Sequence, residues 1–405
     1  MKILHVADLH FGKTLAGQDL NEDQRDWCNK FVELVKTEKP SAVLIAGDVY
    51  DRATPNGDAV DLLDGFLTSL LAVDDHLHVM IVAGNHDSGQ RLAFGSRIFK
   101  KERLHIVGKV SEKMECVTLQ DENGPVNFWL MPYLFPAAVA EVLGIEERLD
   151  YTESVRRLLA NQQIDISVRN VLVAHQSVMS DGTSPEEGGS ETMVGGVGAI
   201  DGVVFDAFDY VALGHIHRGQ VVGRDVMRYA GSPLCYHFDE LKCSKKGAVA
   251  VVLAEKGKVA VEVKLLAPLH PLREIRKSYA DIVAEETANE CRGEYVKIVL
   301  TDQRVSPQVS DALHAIFAGK GSVLLELTSD FAAFSDVRGD GVSSARERKL
   351  EEKLLDFWRD RHGGEDPDAA MTELIKIATR RPENGGWKND DAIEAILTQV
   401  KGMEG

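Results

Sequence analysis

The stretch Val79-Met-Ile-Val-Ala-Gly-Asn-His-Asp87 joins five apolar residues directly to four polar or turn-forming ones. Five consecutive apolar residues predict a strand that is buried on both faces, as in the middle of a parallel sheet. Gly84 allows the chain to turn sharply as it leaves that strand. A Gly-Asn-His-Asp sequence is rare after so apolar a run, which indicates that these polar side chains have a function.

The same pattern occurs at four other apolar runs, at residues 3–7, 42–46, 171–174 and 210–213. Helical periodicity lies between the first runs, and this alternation predicts an α/β fold. Since ligands bind beyond the carboxyl ends of the strands in such sheets, the polar segments are expected to meet at one site. Those segments are Asp8-Leu-His10, Gly47-Asp48-Val-Tyr-Asp51-Arg52, His175-Gln176 and Gly214-His215-Ile-His217.

Further elements are predicted around these strands. Apolar residues at helical spacing predict helices over 22–37, with Asn21 as the N-cap, and over 59–70. Residues 247–254 and 258–267 are typical of the two strands of a hairpin.

Pro268 and Pro271 suggest a domain boundary, after which the chain predicts a small α/β module. Residues 335–345 are polar and glycine-rich, as in a linker, and residues 346–401 have helical periodicity. The elements predicted for the module are a helix at 279–290, a strand at 295–301, a helix at 307–317 and a strand at 322–328.

The composition limits the possible classes of protein. The 405 residues fit two to three domains, and no apolar run approaches the roughly 20 residues of a membrane-spanning helix. The chain starts directly with a strand-like run, so a cytoplasmic location is expected. Five cysteines without CxxC spacing predict reduced thiols rather than disulfides or a cysteine zinc site. The net charge of −18 argues against binding nucleic acid by bulk positive charge, although a local basic groove or bound cations could still contact phosphates.

The strand-end residues offer carboxylate, amide and imidazole groups but no thiolate. This donor set suits Mn²⁺, Fe²⁺ or Zn²⁺ better than Ca²⁺ or a soft metal. There are too many donors for one metal with open positions, and enough for two metals that share an aspartate. Two such metals suit the hydrolysis of phosphate esters, because they activate water and stabilise the attacking and leaving oxygens of an in-line displacement.

Each motif alone has an ordinary explanation, since Asp-x-His pairs and Gly-Asp turns are common at protein surfaces. His76-Leu-His78 has the spacing of the Gly-His-x-His motif, but it precedes its strand and lacks the glycine, so we assign it to structure. Five strand-end motifs in this order are much harder to explain by chance. The histidines outside the motifs, which we also assign to structure or surface, are His5, His105, His237, His270, His314 and His362.

In this order the motifs resemble those of the calcineurin-like metallophosphoesterase superfamily. Finer features resemble its SbcD family, the nuclease subunits of bacterial SbcCD complexes, over about the first 270 residues. The stretches that carry this resemblance are Gly84-Asn-His-Asp-Ser-Gly-Gln-Arg-Leu-Ala-Phe94, Met131-Pro-Tyr-Leu-Phe-Pro136, Ala212-Leu-Gly-His-Ile-His-Arg218, Ala230-Gly-Ser-Pro-Leu234 and Phe238-Asp-Glu240.

The resemblance implies the architecture and the assembly. The fold would be a four-layered α/β/β/α sandwich at residues 1–267, followed by a capping domain at 268–334 and a helical partner-binding segment at 346–405. The chain would form a homodimer within a heterotetramer that contains an SbcC-type ATPase. It would bind no nucleotide itself, because Gly195-Gly-Val-Gly198 and Gly319-Lys-Gly-Ser322 lack the spacing of a P-loop or dinucleotide site.

The resemblance also implies a role for each site residue. His86 would bind no metal and would act on the scissile phosphate or the leaving oxygen, as a general acid or through its charge. Asp51 matches a residue that orients this histidine in related phosphatases, whereas many eukaryotic and archaeal nucleases have a histidine there, so a surface-turn role stays open. The metals, Mn²⁺ or else Mg²⁺, Fe²⁺ or Zn²⁺, would be held by Asp8, His10 and His217 and by Asn85, His175 and His215, with Asp48 as the bridge.

The implied function is hydrolysis of phosphodiester bonds in DNA. The chain would be an exonuclease on double-stranded ends with the ATPase, and an endonuclease on single strands and hairpins. It would act in DNA repair, recombination and replication. Its location would be the cytoplasm, at the nucleoid, and it would not bind a membrane. Two alternatives stay open: a phosphodiesterase or phosphatase of the same superfamily that acts on small substrates or phosphoproteins, and a non-catalytic scaffold for a DNA-bound ATPase.

Overall fold

The computed structural model describes residues 1–180, 182–186, 198–243 and 246–331, together with 358, 366, 367, 371 and 372. The chain divides into two compact units, Met1–Phe331 and Ala332–Gly405. The predicted linker, nearly all of the predicted tail and His362 lie outside the described residues. Within the described residues, no helix combines the length and the apolar character needed to span a bilayer.

The first half of Met1–Phe331 begins with alternating strands and helices, as predicted. In chain order its elements are β1 (Lys2–Val6), β2 (Thr14–Leu15), β3 (Gln18–Asp19), α1 (Asn21–Glu38), β4 (Ala42–Ala46), α2 (Gly57–Leu71), β5 (His78–Val82), α3 (Gly89–Leu92), α4 (Ser96–Phe99), β6 (Leu104–Val107), β7 (Glu115–Asp121), β8 (Gly124–Met131), α5 (Pro136–Leu143) and α6 (Tyr151–Ala160).

The second half contains more strands than helices. Its elements are β9 (Arg169–His175), β10 (Val178–Met179), β11 (Ile200–Asp201), β12 (Tyr210–Gly214), β13 (Gln220–Val222), β14 (Arg224–Tyr229), β15 (Gly247–Leu253), β16 (Val259–Leu265), β17 (Leu272–Lys277), α7 (Tyr279–Val283), α8 (Glu285–Glu290), β18 (Tyr295–Leu300), α9 (Pro307–Ala318) and β19 (Val323–Ser329).

Two six-stranded sheets organise these elements. The first has the order β16-β15-β1-β4-β5-β6, and the second has the order β13-β14-β12-β9-β8-β7. Strands β1, β4, β5 and β6 run parallel to one another, as do β8, β9, β12 and β14. Because the central strands are parallel, the carboxyl ends that carry the polar motifs lie at one edge of each sheet. The predicted hairpin is the antiparallel pair of β15 and β16.

The two sheets pack face to face, with helices on their outer faces. Ile3 of the first sheet shares a buried cluster with Phe128 of the second. The other face of the first sheet packs on α1 and α2, which contribute Trp27 and Phe66. The outer face of the second sheet packs on α5 and α6, which contribute residues such as Leu158. These layers confirm the predicted α/β/β/α sandwich.

The N-termini of α1 and α2 are capped in different ways. Asn56 caps α2, since its side chain accepts a hydrogen bond from the N–H of Ala59 at 2.9 Å. The prediction that Asn21 caps the first helix is wrong, because Leu20 occupies the cap position and Asn21 is the first helical residue. The carboxylate of Asp19 accepts a hydrogen bond from the N–H of Asn21 at 2.7 Å. The first N–H of the helix, which has no partner within the helix, is therefore bound by a residue before the cap position.

A third, three-stranded sheet follows the sandwich. Its strands β17, β18 and β19 are all parallel, and Ile298, Leu313 and Phe317 belong to its own buried cluster. The helix predicted at 279–290 is divided into α7 and α8 at Ala284, whose ψ is 133°. Strand β17 was not predicted. The domain boundary at residue 268 stays a prediction.

Candidate metal centre

The strand-end motifs of both sheets meet at one place. The carboxyl ends of β1, β4 and β5 carry the motifs of the first sheet, and β9 and β12 carry those of the second. Contacts between neighbouring side chains join all the predicted ligands into one connected cluster. Its members are Asp8, His10, Asp48, Asn85, His175, His215 and His217.

Asp8, His10 and His217 form one half of the cluster. Each offers a donor atom, and these atoms lie within 4.8 Å of one another. The Nε2 atoms of His10 and His217 are 3.0 Å apart, and Nε2 of His10 is 3.7 Å from Oδ2 of Asp48. All three side chains are buried. They are the same three residues that the resemblance assigned to one metal.

Asn85, His175 and His215 form the other half. Oδ1 of Asn85 is 3.0 Å from Nε2 of His175 and 3.0 Å from Nδ1 of His215. Oδ2 of Asp48 is 3.3 Å from Nε2 of His175. A single carboxylate oxygen of Asp48 therefore lies within 4 Å of ring nitrogens from both halves. From this position Asp48 would be able to contact metals held by either half, which is the role that the resemblance implies.

Close approach of the backbone explains two of the motif glycines. A Cβ atom on Gly84 would lie 2.1 Å from Oδ1 of Asp48. A Cβ atom on Gly214 would lie 1.9 Å from the carbonyl oxygen of Ala46. Any side chain at these positions would push the strand ends apart, so Gly84 allows the segments after β4 and β5 to lie together and Gly214 allows the second sheet to approach the first.

Four of the predicted ligands have a left-handed backbone, with φ of 55° at Asp8, 45° at His10, 49° at Asp48 and 104° at His215. Such conformations cost about 1–3 kcal/mol each for residues other than glycine, and they cluster at functional sites. Hydrogen bonds within the cluster hold them. The N–H of His215 donates to Oδ1 of Asp8, and the N–H of His10 donates to the carbonyl of Asp48, both at 3.0 Å.

Asp87, the last residue of the Gly-Asn-His-Asp motif, ties two of the strand-end segments together, and the sequence did not predict this particular role. Its Oδ2 accepts the N–H groups of Gly84 and Val49 at 2.9 and 3.1 Å, and its Oδ1 accepts that of Tyr50 at 2.9 Å. Burial, together with the nearby charge of Asp48, raises the pKa of Asp87 to about 6. Asp87 therefore fixes the segment after β4 against the segment after β5.

Burial dominates the electrostatics of the cluster. It raises the pKa of Asp8 to about 6, lowers that of His215 to about 3 and lowers that of His10 well below its usual value. Burial also opposes protonation of His175, but the charges of Asp48 and Asp8 outweigh it and raise the pKa of His175 to about 9. Because metals bind neutral imidazoles and ionised carboxylates, a metal held by His175 would have to displace a proton from that ring.

The donors fit divalent cations by their chemistry. The cluster combines four imidazoles, two carboxylates and one amide oxygen, and it contains no thiolate. Mixed nitrogen and oxygen donors of this kind suit Mn²⁺, Fe²⁺ or Zn²⁺.

The comparison with protein families decides the family of this chain. The sequence model of the calcineurin-like phosphoesterase family matches residues 1–219, and this range includes every predicted ligand. The chain belongs to the calcineurin-like phosphoesterase family. Membership confirms the predicted fold class and the predicted class of enzyme, a hydrolase of phosphate esters.

Two curated relatives of this phosphoesterase are both named as the SbcD subunit of the nuclease SbcCD. The protein of Staphylococcus saprophyticus is 32% identical over 288 residues, which cover 71% of this chain and 74% of the relative. The protein of Staphylococcus epidermidis is 31% identical over 307 residues, which cover 75% of this chain and 79% of the relative.

Two solved structures are more distantly similar. A dimetal phosphatase from Danio rerio is 14% identical with a TM-score of 0.36, over 66% of this chain and 98% of the other. GAP50, the anchor in the inner membrane complex of Plasmodium, is 12% identical with a TM-score of 0.35, over 81% of this chain and 96% of the other.

His86 of this phosphoesterase lies beside the cluster and is exposed. Its N–H donates to Oδ1 of Asp48 at 2.8 Å, and its ring is 4.9 Å from the ring of His10. Nδ1 of His86 is 2.9 Å from the main-chain carbonyl of Asp51. The carboxylate of Asp51 instead contacts Nζ of Lys13 at 2.7 Å. The predicted roles of His86 and Asp51 stay predictions.

Gln24 supports the segment that carries His10 and was not predicted. It lies on the buried face of α1. Its side-chain amide donates to the carbonyl of His10 at 2.7 Å, and its Oε1 accepts the N–H of Gly12 at 3.1 Å. The sequence did contain a sign of this role, because Gln24 is a polar residue within an apolar helical stripe and buried polar groups need hydrogen-bond partners.

Ser232, Glu240 and Lys246 form a buried polar network next to His217. Oε1 of Glu240 is 3.1 Å from Nδ1 of His217, and its Oε2 is 2.6 Å from Nζ of Lys246. Lys246 also donates to Oγ of Ser232 at 2.7 Å. Glu240 is in the Phe238-Asp-Glu240 stretch that carried the resemblance, but no feature of the sequence connects it with His217.

Proposed function

We propose that this phosphoesterase is the metal-dependent nuclease subunit of an SbcCD-type complex. The observation that carries the proposal is the complete cluster of seven donors, with His86 beside it, in a chain related to proteins named as the SbcD subunit of the nuclease SbcCD. The reaction would be hydrolysis of phosphodiester bonds in DNA, as an exonuclease on double-stranded ends and an endonuclease on single strands and hairpins.

The proposed centre holds two Mn²⁺ ions. Asp8, His10 and His217 would bind one, and Asn85, His175 and His215 the other, while Asp48 lies within reach of both. When bound, two divalent cations activate water and neutralise charge on the phosphate in an in-line displacement. The chain's own contribution is to hold the donors in place through the strained turns and hydrogen bonds described above.

His86 would act on the substrate from the exposed side of the cluster. Its Nδ1 is engaged by the carbonyl of Asp51, which leaves Nε2 to face the scissile phosphate or the leaving oxygen. As a general acid or a cationic donor, His86 would contribute about 10²–10⁴-fold to the rate. Asp51 would position His86 through its main-chain oxygen and its contact with Lys13.

The proposed assembly adds an SbcC-type ATPase, to which two copies of this chain would bind as a homodimer. A net charge of −18 favours this arrangement, because an acidic chain needs a partner to hold much of the duplex. We retain residues 1–267 as the nuclease domain, 268–334 as the capping domain and 346–405 as the partner-binding segment. The setting would be DNA repair, recombination and replication in the cytoplasm, at the nucleoid.

The deciding experiment is cleavage of an end-labelled single-stranded DNA hairpin by the purified chain with Mn²⁺ and with EDTA. We expect cleavage that requires Mn²⁺ and that His217→Ala abolishes. The matched control is His314→Ala, which removes an exposed histidine of α9 and should not change the rate.

A small phosphodiester, bis(p-nitrophenyl) phosphate, is tested in parallel. Hydrolysis of this ester without cleavage of DNA would overturn the proposal in favour of a small-substrate enzyme. Failure to cleave either substrate would favour the non-catalytic scaffold.

A further inference from the structure

His217 is held at both of its ring nitrogens. Nε2 points into the cluster, 3.0 Å from Nε2 of His10, and Nδ1 lies 3.1 Å from Oε1 of Glu240. An ionised carboxylate can only accept a hydrogen bond, so Nδ1 of His217 carries the hydrogen. Nε2 then presents its lone pair to the centre, which is the form that a metal ligand requires.

Lys246 fixes the carboxylate and the backbone at the same time. Its Nζ atom is 2.6 Å from Oε2 of Glu240 and 2.9 Å from the carbonyl oxygen of His217. The N–H of Ser232 donates to the same carbonyl at 3.1 Å. Both the ring and the backbone of His217 are therefore attached to one network.

The location of this ion pair is costly. Glu240 is 1% exposed and Lys246 is 7% exposed. Removing two charges from water costs several kcal/mol per ion, and a well-packed apolar pair is often as stable or more stable. Stability alone is therefore a poor explanation for a buried glutamate and lysine directly behind a ligand.

The other half of the cluster has no such arrangement among the described residues. Nδ1 of His175 is 2.7 Å from the carbonyl oxygen of Ala46, a neutral main-chain acceptor. The charged pair is therefore particular to the half that contains His217. This asymmetry allows its effect to be measured separately.

We propose that Glu240 and Lys246 are positioning residues that set the affinity of the metal position formed by Asp8, His10 and His217. The second position, formed by Asn85, His175 and His215, would not depend on them. This inference rests on the two-metal centre of the proposed function.

The test is titration of the full-length chain with Mn²⁺ by calorimetry, with the melting temperature measured in EDTA. Glu240→Gln preserves the shape of the side chain and removes its charge. We expect it to weaken one of two Mn²⁺ sites about 10–100-fold, as mutation of such supporting residues typically does, and to leave the other unchanged.

Asp121→Asn is the matched control, because it breaks a second ion pair far from the cluster. Asp121 is 3.0 Å from Arg169, at the ends of β7 and β9 opposite the metal ligands. This variant should lower the melting temperature without changing either Mn²⁺ affinity.

The double substitution Glu240→Leu with Lys246→Met separates positioning from stability. Apolar replacement of both charges should restore folding if Glu240→Gln impairs it, yet the weakened Mn²⁺ site should stay weak. Two sites of wild-type affinity in the double variant would overturn the inference. A wild-type chain that binds no Mn²⁺ would instead overturn the metal centre itself.

Discussion

His86 and the predicted ligand histidines have different surroundings, and the difference predicts different consequences of mutation. His10, His175 and His217 are buried, whereas His86 is exposed at the rim of the cluster. Nδ1 of His86 contacts a main-chain carbonyl, so the ring is oriented without help from a metal. A residue placed in this way can act on a substrate without holding the centre together.

We therefore expect His86→Ser to bind two Mn²⁺ ions with unchanged affinity while hairpin cleavage falls about 10²–10⁴-fold, the usual contribution of a general acid or base. His217→Ala should lose one Mn²⁺ as well as cleavage. Metal content is measured by elemental analysis after dialysis, and cleavage by gel. Substantial Mn²⁺-dependent cleavage by His86→Ser would refute a catalytic role for His86.

Two of the site contacts were beyond prediction because they depend on how loops outside the central strands fold against the histidine rings. The resemblance implied that Asp51 orients His86, but only the structure shows that the atom 2.9 Å from Nδ1 of the ring is the main-chain oxygen of Asp51. Glu240 and His217 are 23 positions apart, and their contact depends on how the chain folds. Residue type and spacing identified the ligands, whereas the supporting residues needed three-dimensional information.

Among the secondary-structure elements, burial on both faces made the central strands predictable. All five residues of β4 and of β12 are buried, so each strand is a continuous apolar run in the sequence. Strand β17, Leu-Arg-Glu-Ile-Arg-Lys, has only Ile275 buried and therefore has neither a continuous run nor a clear alternation. It is a strand because β18 offers it a parallel partner, which its own sequence does not reveal.

The packing of β1 on β12 predicts a dependence of stability on pH. His5 of β1 is fully buried, with Nδ1 3.0 Å from the hydroxyl of Tyr210 in β12. Burial lowers the pKa of His5 from 6.5 to about 3. Between these two values the unfolded chain binds a proton that the folded chain does not, so the folded state loses stability as the pH falls below 6.5.

His5→Gln removes this titration. Lowering the pH from 7 to 5 should therefore reduce the free energy of unfolding of the wild type by about 2 kcal/mol more than that of the variant, at 1.36 kcal/mol for each pH unit. Urea unfolding at the two pH values measures the difference. His76→Gln, which changes an exposed histidine, should behave as the wild type does. Equal pH dependence in wild type and His5→Gln would contradict the prediction.

The excess of acidic residues in the chain predicts different requirements for two kinds of DNA substrate. The chain has 64 acidic and 46 basic residues, although Arg52, next to Asp51 at the site, is 78% exposed and can meet a phosphate. Local cations of this kind suit a short single strand, whereas a long duplex needs more positive charge than the chain offers. The proposed ATPase partner would supply that charge, so the segment that binds the partner should decide which substrates are cleaved.

The final prediction concerns residues 346–401, which lie almost wholly outside the described residues. Their sequence has apolar residues at helical spacing, including Phe357 and Trp358, after a glycine-rich stretch. An amphipathic helix of this kind can place its apolar face on a partner helix. A chain ending at residue 340 should therefore keep its melting temperature and its Mn²⁺-dependent cleavage of single strands, but lose binding to the SbcC-type ATPase and with it ATP-dependent exonuclease activity. Full-length Phe357→Glu should reproduce this selective loss, since it puts a charge on the same apolar face. If the shortened chain still co-purifies with the ATPase in equal amounts, the segment does not bind the partner; if it loses stability and cleavage, the segment belongs to the fold of the chain itself.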